Sequence, residues 1–288
     1  DPGKMKAGKA TRGKHGRALS KEAVIANTQG SLALIQQSSP DFIFLQEVDV
    51  KSSRSYGVDQ AAILRSAFSG YGSVFALNFH SPYLIVPPQE PHGSVQSGLL
   101  TLSNWHVDEN VRRQFPVDGS FITKFTDLDR CFLISRLGLD NGKELVLINV
   151  HLSAYDQGGT IRAQQLALLN QVLIQEREQG NYVIAGGDFN HDIAGTLDFF
   201  PSQQQVPDWI FAMNTADLAE GYHFVRADNA DETATCRGAD IPFEAGVTYQ
   251  AIVDGFLVSD NLAATAENIQ NDYRYSDHNP VVLKFRMN

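Results

Sequence analysis

A carboxylate and a carboxamide stand two residues apart after a short apolar run. The run covers residues 182–185, two glycines follow it, and Asp188 and Asn190 come next. The run predicts a buried strand, and the glycines let the chain turn at its end without a Cβ penalty. Asp188 and Asn190 could contact one phosphate and one metal ion. Because Asp and Asn also suit ordinary turns, this stretch alone does not decide between a site and a turn.

Four further apolar runs deliver side chains that can bind a metal or move a proton. These side chains are Glu47, His151, Asp254, and Asp277 with His278. A single Asp or His at a strand end more often has a structural role. The recurrence of such residues at the ends of several predicted strands favours one shared site. Hard cations such as Mg²⁺ prefer carboxylate oxygens, which suits Glu47 with Asp277 or Asp188. His278 beside a carboxylate such as Asp254 would form a unit for proton transfer or phosphate binding.

Alternating helices and strands would have to position these side chains. The patterns predict helices from Ser20 to residues 38–41, over 61–68 and over 161–180, and strands over 42–45, 74–79, 98–103, 130–139, 144–150, 182–185, 251–258 and 281–285. The Asn141-Gly142 pair predicts a hairpin. Residues 80–96 contain four prolines and are expected to form a long loop, and residues 199–246 are expected to be loop-rich. The alternation indicates stacked sheets covered by helices in one domain.

The charge is unevenly spread along the chain. The net charge is −10, although residues 1–22 carry seven basic and two acidic residues, so the remainder is more acidic than the total. An acidic body disfavours a non-specific nucleic-acid binder and suits a divalent cation. We interpret residues 1–19 as a basic, flexible segment that could reach a polyanionic substrate.

Several classes of protein are disfavoured by what the sequence lacks. No apolar stretch approaches the length of a membrane span, and no signal-peptide pattern opens the chain. The compartment stays open between cytoplasmic and exported with the signal already removed. Cys131 and Cys236 match no metal spacing, and we expect Cys131 to be a buried free thiol. Residues 3–10 resemble a P-loop but end in Ala10, where a Ser or Thr is needed. The absence of a Gly-x-Ser-x-Gly elbow disfavours a serine hydrolase.

Four short motifs occur in the order that is found in one known family. They are Gln46-Glu47-Val48-Asp49, Asn149-Val150-His151-Leu152, Gly187-Asp188-Phe189-Asn190 and Ser276-Asp277-His278-Asn279-Pro280. Together they resemble the endonuclease/exonuclease/phosphatase superfamily, whose members fold like pancreatic deoxyribonuclease. Residues 97–103, and Arg162 with Gln165, add weaker agreement. The resemblance covers residues 20–288, which would form a single catalytic domain.

The resemblance implies a fold and a reaction. The fold would be an α/β four-layer sandwich, in which two mixed β-sheets pack face to face with helices outside and the site lies at one end. The protein would be a metal-dependent phosphoesterase that hydrolyses phosphodiesters or phosphomonoesters by water attack. The substrate stays open among nucleic acid, a phospholipid head group and smaller phosphate esters. The alternative is a catalytically impaired binding module on the same scaffold. We expect a monomer.

The resemblance also implies a role for each site residue. Glu47 would bind Mg²⁺ or Mn²⁺, with Asp277 nearby. Asp188 would orient or deprotonate the attacking water, and Asn190 would hold that water or a phosphate oxygen. The remaining expected roles are phosphate contact or proton transfer for His278 paired with Asp254, phosphate binding for His151, and substrate binding for Asn149, Arg130 and Arg162. The identity of the general base stays open.

The chain departs from the family pattern at its start. Family members open with a strand that ends in a metal- or phosphate-contacting Asn, and nothing before residue 20 resembles that strand. Some members carry a Gly/Lys-rich loop between the first strand and the first helix. Residues 1–19 are interpreted as that loop, which would bring its lysines to the mouth of the site.

Overall fold

The computed structural model describes residues 16–85, 89–116, 130–154, 160–207 and 210–288. The helices are α1 (Lys21–Gln37), α2 (Gln60–Ala67) and α3 (Thr160–Gln179). The strands are β1 (Phe42–Asp49), β2 (Gly72–Leu84), β3 (Gly93–Ser103), β4 (Glu109–Gln114), β5 (Cys131–Gly138), β6 (Glu144–His151), β7 (Tyr182–Asp188), β8 (Tyr222–Phe224), β9 (Cys236–Arg237), β10 (Gln250–Ala251), β11 (Asp254–Ser259), β12 (Leu262–Asn268) and β13 (Val281–Met287).

One sheet is a continuous ladder of six strands in the order β4-β5-β6-β7-β11-β8. Strands β6 and β7 are parallel and are connected through α3, whereas the other pairs are antiparallel. A parallel pair needs such a crossover, and a helix is its usual form. The expected mixed sheet is therefore present here.

The layer that faces this sheet consists of two antiparallel pieces, β2-β3-β1 and β12-β13. Among the described residues, all strand pairs of this layer are antiparallel. Within the described ranges, β1 pairs only with β3, and β13 pairs only with β12. The rings of Phe42 in β1 and Phe285 in β13 lie 6.5 Å apart, so side chains connect two strands whose backbones do not pair.

Apolar side chains fill the space between the layers and beneath the helices. Leu147, Ile184 and Val258 of the six-stranded sheet pack against partly buried Phe44 and Leu283 of the facing layer. Outside the six-stranded sheet, the buried face of α3 packs on β6 and β7. Outside the facing layer, α1 and α2 pack on β1 and β3. The predicted four-layer sandwich is confirmed.

Local signals predicted the three helices and most of the long strands, whereas β4, β8, β9 and β12 have no predicted counterpart. The Ser20 hydroxyl accepts a hydrogen bond from the Ala23 N–H at 3.1 Å and caps α1, as predicted. The predicted long loop over residues 80–96 is shorter, because β2 continues to Leu84 and β3 begins at Gly93. The strand predicted over residues 251–258 is interrupted, because Ala251 pairs with β9 and the next strand begins at Asp254. Asp254 therefore opens a strand rather than lying in its middle.

The end of the basic segment contacts the β2–β3 hairpin. The Gly16 N–H donates to the Glu90 carbonyl, and the Ala18 N–H donates to the Arg54 carbonyl, both at 2.9 Å. Residues 1–15, with the lysines predicted to reach the site, lie outside the described residues. Both cysteines are buried free thiols, as predicted for Cys131. Among the described helices, none combines the length and apolar character that a membrane crossing requires.

Candidate active site

Strand register brings three of the predicted residues into one row. His151 in β6 and Asp254 in β11 are the Cα partners of Asp188, which ends the intervening strand β7. Paired residues in adjacent strands place their side chains on the same face of a sheet. Three residues that span more than one hundred positions of the chain therefore meet at one edge of the six-stranded sheet.

The two glycines before Asp188 let the neighbouring groups approach closely. A Cβ on Gly187, whose φ is +139°, would lie 2.1 Å from the Val150 carbonyl oxygen. A Cβ on Gly186 would lie 2.5 Å from the ring of Phe256. Only a residue without a Cβ fits either position, so the glycines serve packing around the site as well as the turn.

Asp188 organises the turn that presents Asn190. Its Oδ1 accepts a hydrogen bond from the Asn190 N–H at 2.8 Å, and Asn190 adopts a left-handed conformation with φ of 51°. The Asn190 Nδ2 donates to the Leu152 carbonyl at 2.8 Å, which ties the turn to the end of β6. The Asp188 Oδ2 lies 3.4 Å from Nε2 of His151.

His278 completes the cluster from the loop before β13. Its Nδ1 lies 2.7 Å from Oδ2 of Asp254, so the predicted pair is present. One oxygen of Asp188, one of Asp254 and one nitrogen of His278 all lie within 4.8 Å of one another. Carboxylate oxygens suit Mg²⁺ or Mn²⁺, and an imidazole suits Zn²⁺, so this donor set fits a divalent cation.

The pKa values of Asp188 and His278 are both raised in this cluster. Burial, followed by the negative charge of Asp254, raises the pKa of Asp188 to about 7. Burial opposes the charged form of His278, but the charges and hydrogen bonds of Asp254 and Cys236 together outweigh burial and raise the pKa of His278 well above its usual value. At neutral pH without a metal, the cluster thus combines an imidazolium with a partly protonated carboxyl group.

Glu47 faces the same site from the other layer. The β1–β3 register shifts between Leu45 and Val48, and Glu47 occupies this bulge with φ of 53°. Its Oε2 lies 3.3 Å from Nη1 of Arg54. Desolvation would raise the pKa of Glu47, but the positive charge of Arg54, with contributions from other cationic groups of the site, lowers it to about 2.

The buried histidine of the site is neutral. Burial, followed by the positive charge of Arg130, lowers the pKa of His151 well below its usual value. In the part of the chain that the structure describes, Nδ1 of His151 is buried without a hydrogen-bond partner. Arg130 itself is buried, and its charge also acts on Glu47. A buried donor or acceptor without a partner is costly, which fits a ligand at this point.

Two predicted substrate-binding residues lie behind the site. Asn149 is fully buried, and its Nδ2 donates to the Leu100 carbonyl at 3.2 Å while its Oδ1 accepts from Gln46 at 2.8 Å. Asn149 therefore bonds the two layers together. Arg162 is also fully buried, where it donates to the Asn190 carbonyl and lies 4.5 Å from the ring centroid of Phe211. Direct substrate contact by these two residues stays a prediction.

The compact metal-capable group differs from the predicted ligand pair of Glu47 and Asp277. Asp277 is exposed, and its Oδ1 accepts from the Ser276 hydroxyl at 3.4 Å. Ligation of a metal by Glu47 and Asp277 stays a prediction. Sequence reasoning offered Asp188 as a possible ligand beside Glu47 but gave Asp254 another role, because spacing in the chain does not show which carboxylates converge.

Sequence reasoning missed several neighbours of the site. Arg54 and Asp49 pair beside Glu47, and Cys236 forms a backbone bridge with His278. The sequence offered a signal for the pair of Arg54 and Asp49. Two carboxylates stand at positions i and i+2 of β1, and an arginine follows in the next turn. Nothing in the sequence around Cys236 indicated its proximity to His278.

A sequence family matches most of the chain. The description of that family is Endonuclease/Exonuclease/phosphatase family, and the match covers residues 26–278. The chain belongs to this family, whose members are hydrolases that act on phosphoester bonds and generally depend on divalent metals. No curated protein matches the chain.

Solved structures share the fold at low sequence identity. A protein of the same family from Leptotrichia buccalis is 14% identical, with a TM-score of 0.63, over 94% of this chain and 97% of that one. Truncated TDP2 from Caenorhabditis elegans is 16% identical, with a TM-score of 0.59, over 93% and 92%. The human nocturnin catalytic domain, solved with a bound sulfate anion, is 17% identical, with a TM-score of 0.56, over 91% and 87%.

Proposed function

We propose that the protein is a divalent-metal-dependent phosphoesterase that cleaves a phosphodiester or phosphomonoester by attack of water. The observation that carries the proposal is the convergence of Asp188, Asp254 and His278 within 4.8 Å at the edge of the six-stranded sheet. Two carboxylates and an imidazole at this distance can hold a cation and a phosphoryl group together. Bound Mg²⁺ or Mn²⁺ would act as a Lewis acid on the phosphoryl oxygen.

In this proposal the carboxylates and Asn190 prepare the water. Asp188, with its raised pKa, is suited to accept a proton near neutral pH. The side chain of Asn190 is fixed by its bond to the Leu152 carbonyl, and its amide would hold the water or a phosphate oxygen. Glu47 and Asp277 would add oxygen ligands to the cation. Asp254 orients the His278 ring through Nδ1.

The cationic groups would stabilise the charge on the phosphoryl oxygens. His278, with its raised pKa, carries a proton that it can donate to a phosphoryl or leaving-group oxygen. Neutral His151 and charged Arg130 would contact the remaining oxygens. Asn149 and Arg162 would act from behind the site by holding β6 and the Asn190 turn. The substrate is a phosphate ester of the nucleic-acid or phospholipid head-group type, and we propose that the protein acts as a monomer.

Hydrolysis of two chromogenic esters tests this function. Bis(p-nitrophenyl) phosphate and p-nitrophenyl phosphate are incubated with the protein in Mg²⁺, in Mn²⁺ and in EDTA. We expect metal-dependent turnover that falls at least about a thousandfold in Asp188→Asn, because catalysis loses its proton acceptor and a candidate ligand. Asp260→Asn, which removes an exposed carboxylate paired with His223, should leave the rate unchanged.

The outcome separates the proposed function from its alternatives. Turnover that survives EDTA, or that Asp188→Asn leaves intact, would contradict a metal-dependent reaction at this site. Absence of turnover on both esters, together with metal binding and tight binding of an oligonucleotide or head group, would favour the binding module on the same scaffold. The ratio of the two rates shows whether diesters or monoesters are preferred.

A further inference from the structure

Glu47 is an exposed side chain on an unusual backbone. It occupies the bulge of β1 at positive φ, and 56% of its side chain is exposed. An exposed glutamate has freely rotating torsions, and binding a ligand in one geometry costs that freedom. Its contact with Nη1 of Arg54 is therefore the interaction that restricts where the carboxylate points.

Arg54 is itself fixed by a second carboxylate. Its Nε lies 3.0 and 3.2 Å from the two oxygens of Asp49, and its Nη2 lies 3.0 Å from Oδ1. The Asp49 side chain is only 5% exposed. A bidentate arginine–carboxylate pair has a defined orientation, and here it leaves Nη1 directed at Glu47.

The turn that carries Arg54 is bonded to β3. Ser52 and Gln96 exchange two hydrogen bonds, in which the Gln96 N–H donates to the Ser52 hydroxyl and that hydroxyl donates to the Gln96 carbonyl. The Arg54 carbonyl accepts from the Ala18 N–H at 2.9 Å. Both ends of the arginine, its backbone and its guanidinium, are thereby held against the body of the protein.

We propose that Asp49 and Arg54 form a positioning pair that holds the Glu47 carboxylate where it can ligate the divalent cation. The inference rests on the proposed function, because it assumes that Glu47 is a metal ligand. The pair carries one negative and one positive charge, so it fixes Glu47 without adding net charge to the cation site. A Glu47 side chain that is already fixed loses less conformational entropy when the cation binds, which is the general benefit of preorganisation.

Variants of the pair separate positioning from simple electrostatics. If charge alone mattered, Arg54→Gln would leave Asp49 negative and strengthen cation binding, whereas Asp49→Asn would weaken it. Arg54→Lys and the double variant Asp49→Asn/Arg54→Gln preserve the net charge and would then bind like the wild type. If the pair positions Glu47, all four variants bind more weakly, by about tenfold, because each removes either the guanidinium fork of Arg54 or the Asp49 carboxylate that anchors it.

The readout is binding of Mn²⁺ to the EDTA-treated, dialysed protein, measured by electron paramagnetic resonance without substrate. In parallel, the Mn²⁺ concentration for half-maximal hydrolysis should rise about tenfold, while kcat at saturating Mn²⁺ changes less than about threefold. The exposed pair Arg226 and Asp231, which has the same sequence separation, is the matched control. Arg226→Lys and Arg226→Gln/Asp231→Asn should bind Mn²⁺ like the wild type.

Glu47→Gln distinguishes failure of this inference from failure of the metal assignment. If Glu47→Gln binds Mn²⁺ as tightly as the wild type, Glu47 is not a ligand, and both the assignment and the inference are overturned. If Glu47→Gln binds weakly while Arg54→Lys binds normally, only the positioning pair is overturned. Because Asp49 is buried, thermal unfolding is used first to check that its variants are folded. If they are not folded, the result for Arg54→Lys alone decides whether the pair positions Glu47.

Discussion

The six-stranded sheet is a continuous ladder, whereas the layer packed against it is built from two antiparallel pieces. In the ladder, β7 lies between β6 and β11, and the interiors of these three strands are almost fully buried. In the described part of the facing layer, β1 and β13 each pair along one edge, and apolar residues such as Phe44 and Leu283 are only partly buried.

The two layers position the site by different physical means. The ladder places His151, Asp188 and Asp254 through backbone register, which is rigid because each strand is bonded on both sides. The facing layer supplies Glu47 from a bulge and His278 from a loop, and side-chain pairs with Arg54 and Asp254 orient them. Many backbone hydrogen bonds maintain the strand register, whereas one substitution can remove a side-chain pair.

The largest expected effect comes from removing the contact between the two layers at His278. We expect His278→Gln to lower kcat/KM by about 10²–10⁴, because general acid–base groups contribute factors of this size. The matched control is His223→Gln, since His223 forms an exposed pair with Asp260 at 2.9 Å on the ladder side. Steady-state kinetics on the chromogenic diester measures both, and equal losses in the two variants would contradict a site role for His278.

Matched leucine truncations should show that the ladder carries more of the stability. Leu147 in β6 is 1% exposed, and Leu147→Ala should cost about 2–5 kcal/mol of unfolding free energy. Leu283 in β13 packs on the same cluster but is only partly buried, so Leu283→Ala should cost roughly 1 kcal/mol. Urea unfolding gives both values. An equal or larger cost at Leu283 would show that the two-piece layer is as tightly packed as the ladder.

The pH dependence of stability without metal should reveal the shifted groups of the site. Asp188 and His278 have raised folded-state pKa values, so between their unfolded and folded pKa values the unfolded state binds fewer protons. In EDTA, the unfolding free energy should therefore fall as pH rises from 6.5 to 8, where the lowered pKa of His151 no longer opposes these groups, by up to about 1.4 kcal/mol per pH unit for each group. Urea unfolding across this range measures the slope.

Asp188→Asn should make the unfolding free energy rise with pH between 5 and 6.5, because Asn does not titrate and the lowered pKa of His151 is then unopposed. Added Mg²⁺ should oppose the fall and stabilise the protein more at pH 8 than at pH 6, since a cation binds the deprotonated carboxylate. A wild-type profile that rises between pH 6.5 and 8 would contradict the raised pKa values of Asp188 and His278.

The smallest expected difference concerns local opening of the two layers. Amides in β12 and β13, which form a two-stranded piece, should exchange with solvent through openings of lower free energy than amides in β6 and β7. Hydrogen exchange followed by mass spectrometry compares the peptides. Equal protection would mean that side-chain packing alone makes the two-piece layer as stable as the ladder.

The sequence determined the elements and the residues that can do chemistry. Apolar periodicity, the Ser20 cap and the Asn141-Gly142 turn depend on interactions within a few residues, so they can be read along the chain. The polar residues at strand ends predicted Asp188, Asn190, Asp254 and His278, and the structure brings these residues together.

Only the tertiary structure decided how these residues meet. The register that aligns Asp254 with Asp188, the bulge that reverses φ at Glu47, and the pairing of Arg54 with Asp49 depend on contacts between separate strands and turns. The same contacts placed Asn149 and Arg162 inside the protein and left β1 with one paired edge in the described chain. Packing between distant segments sets burial and side-chain direction, and no local pattern in the sequence encodes these distances.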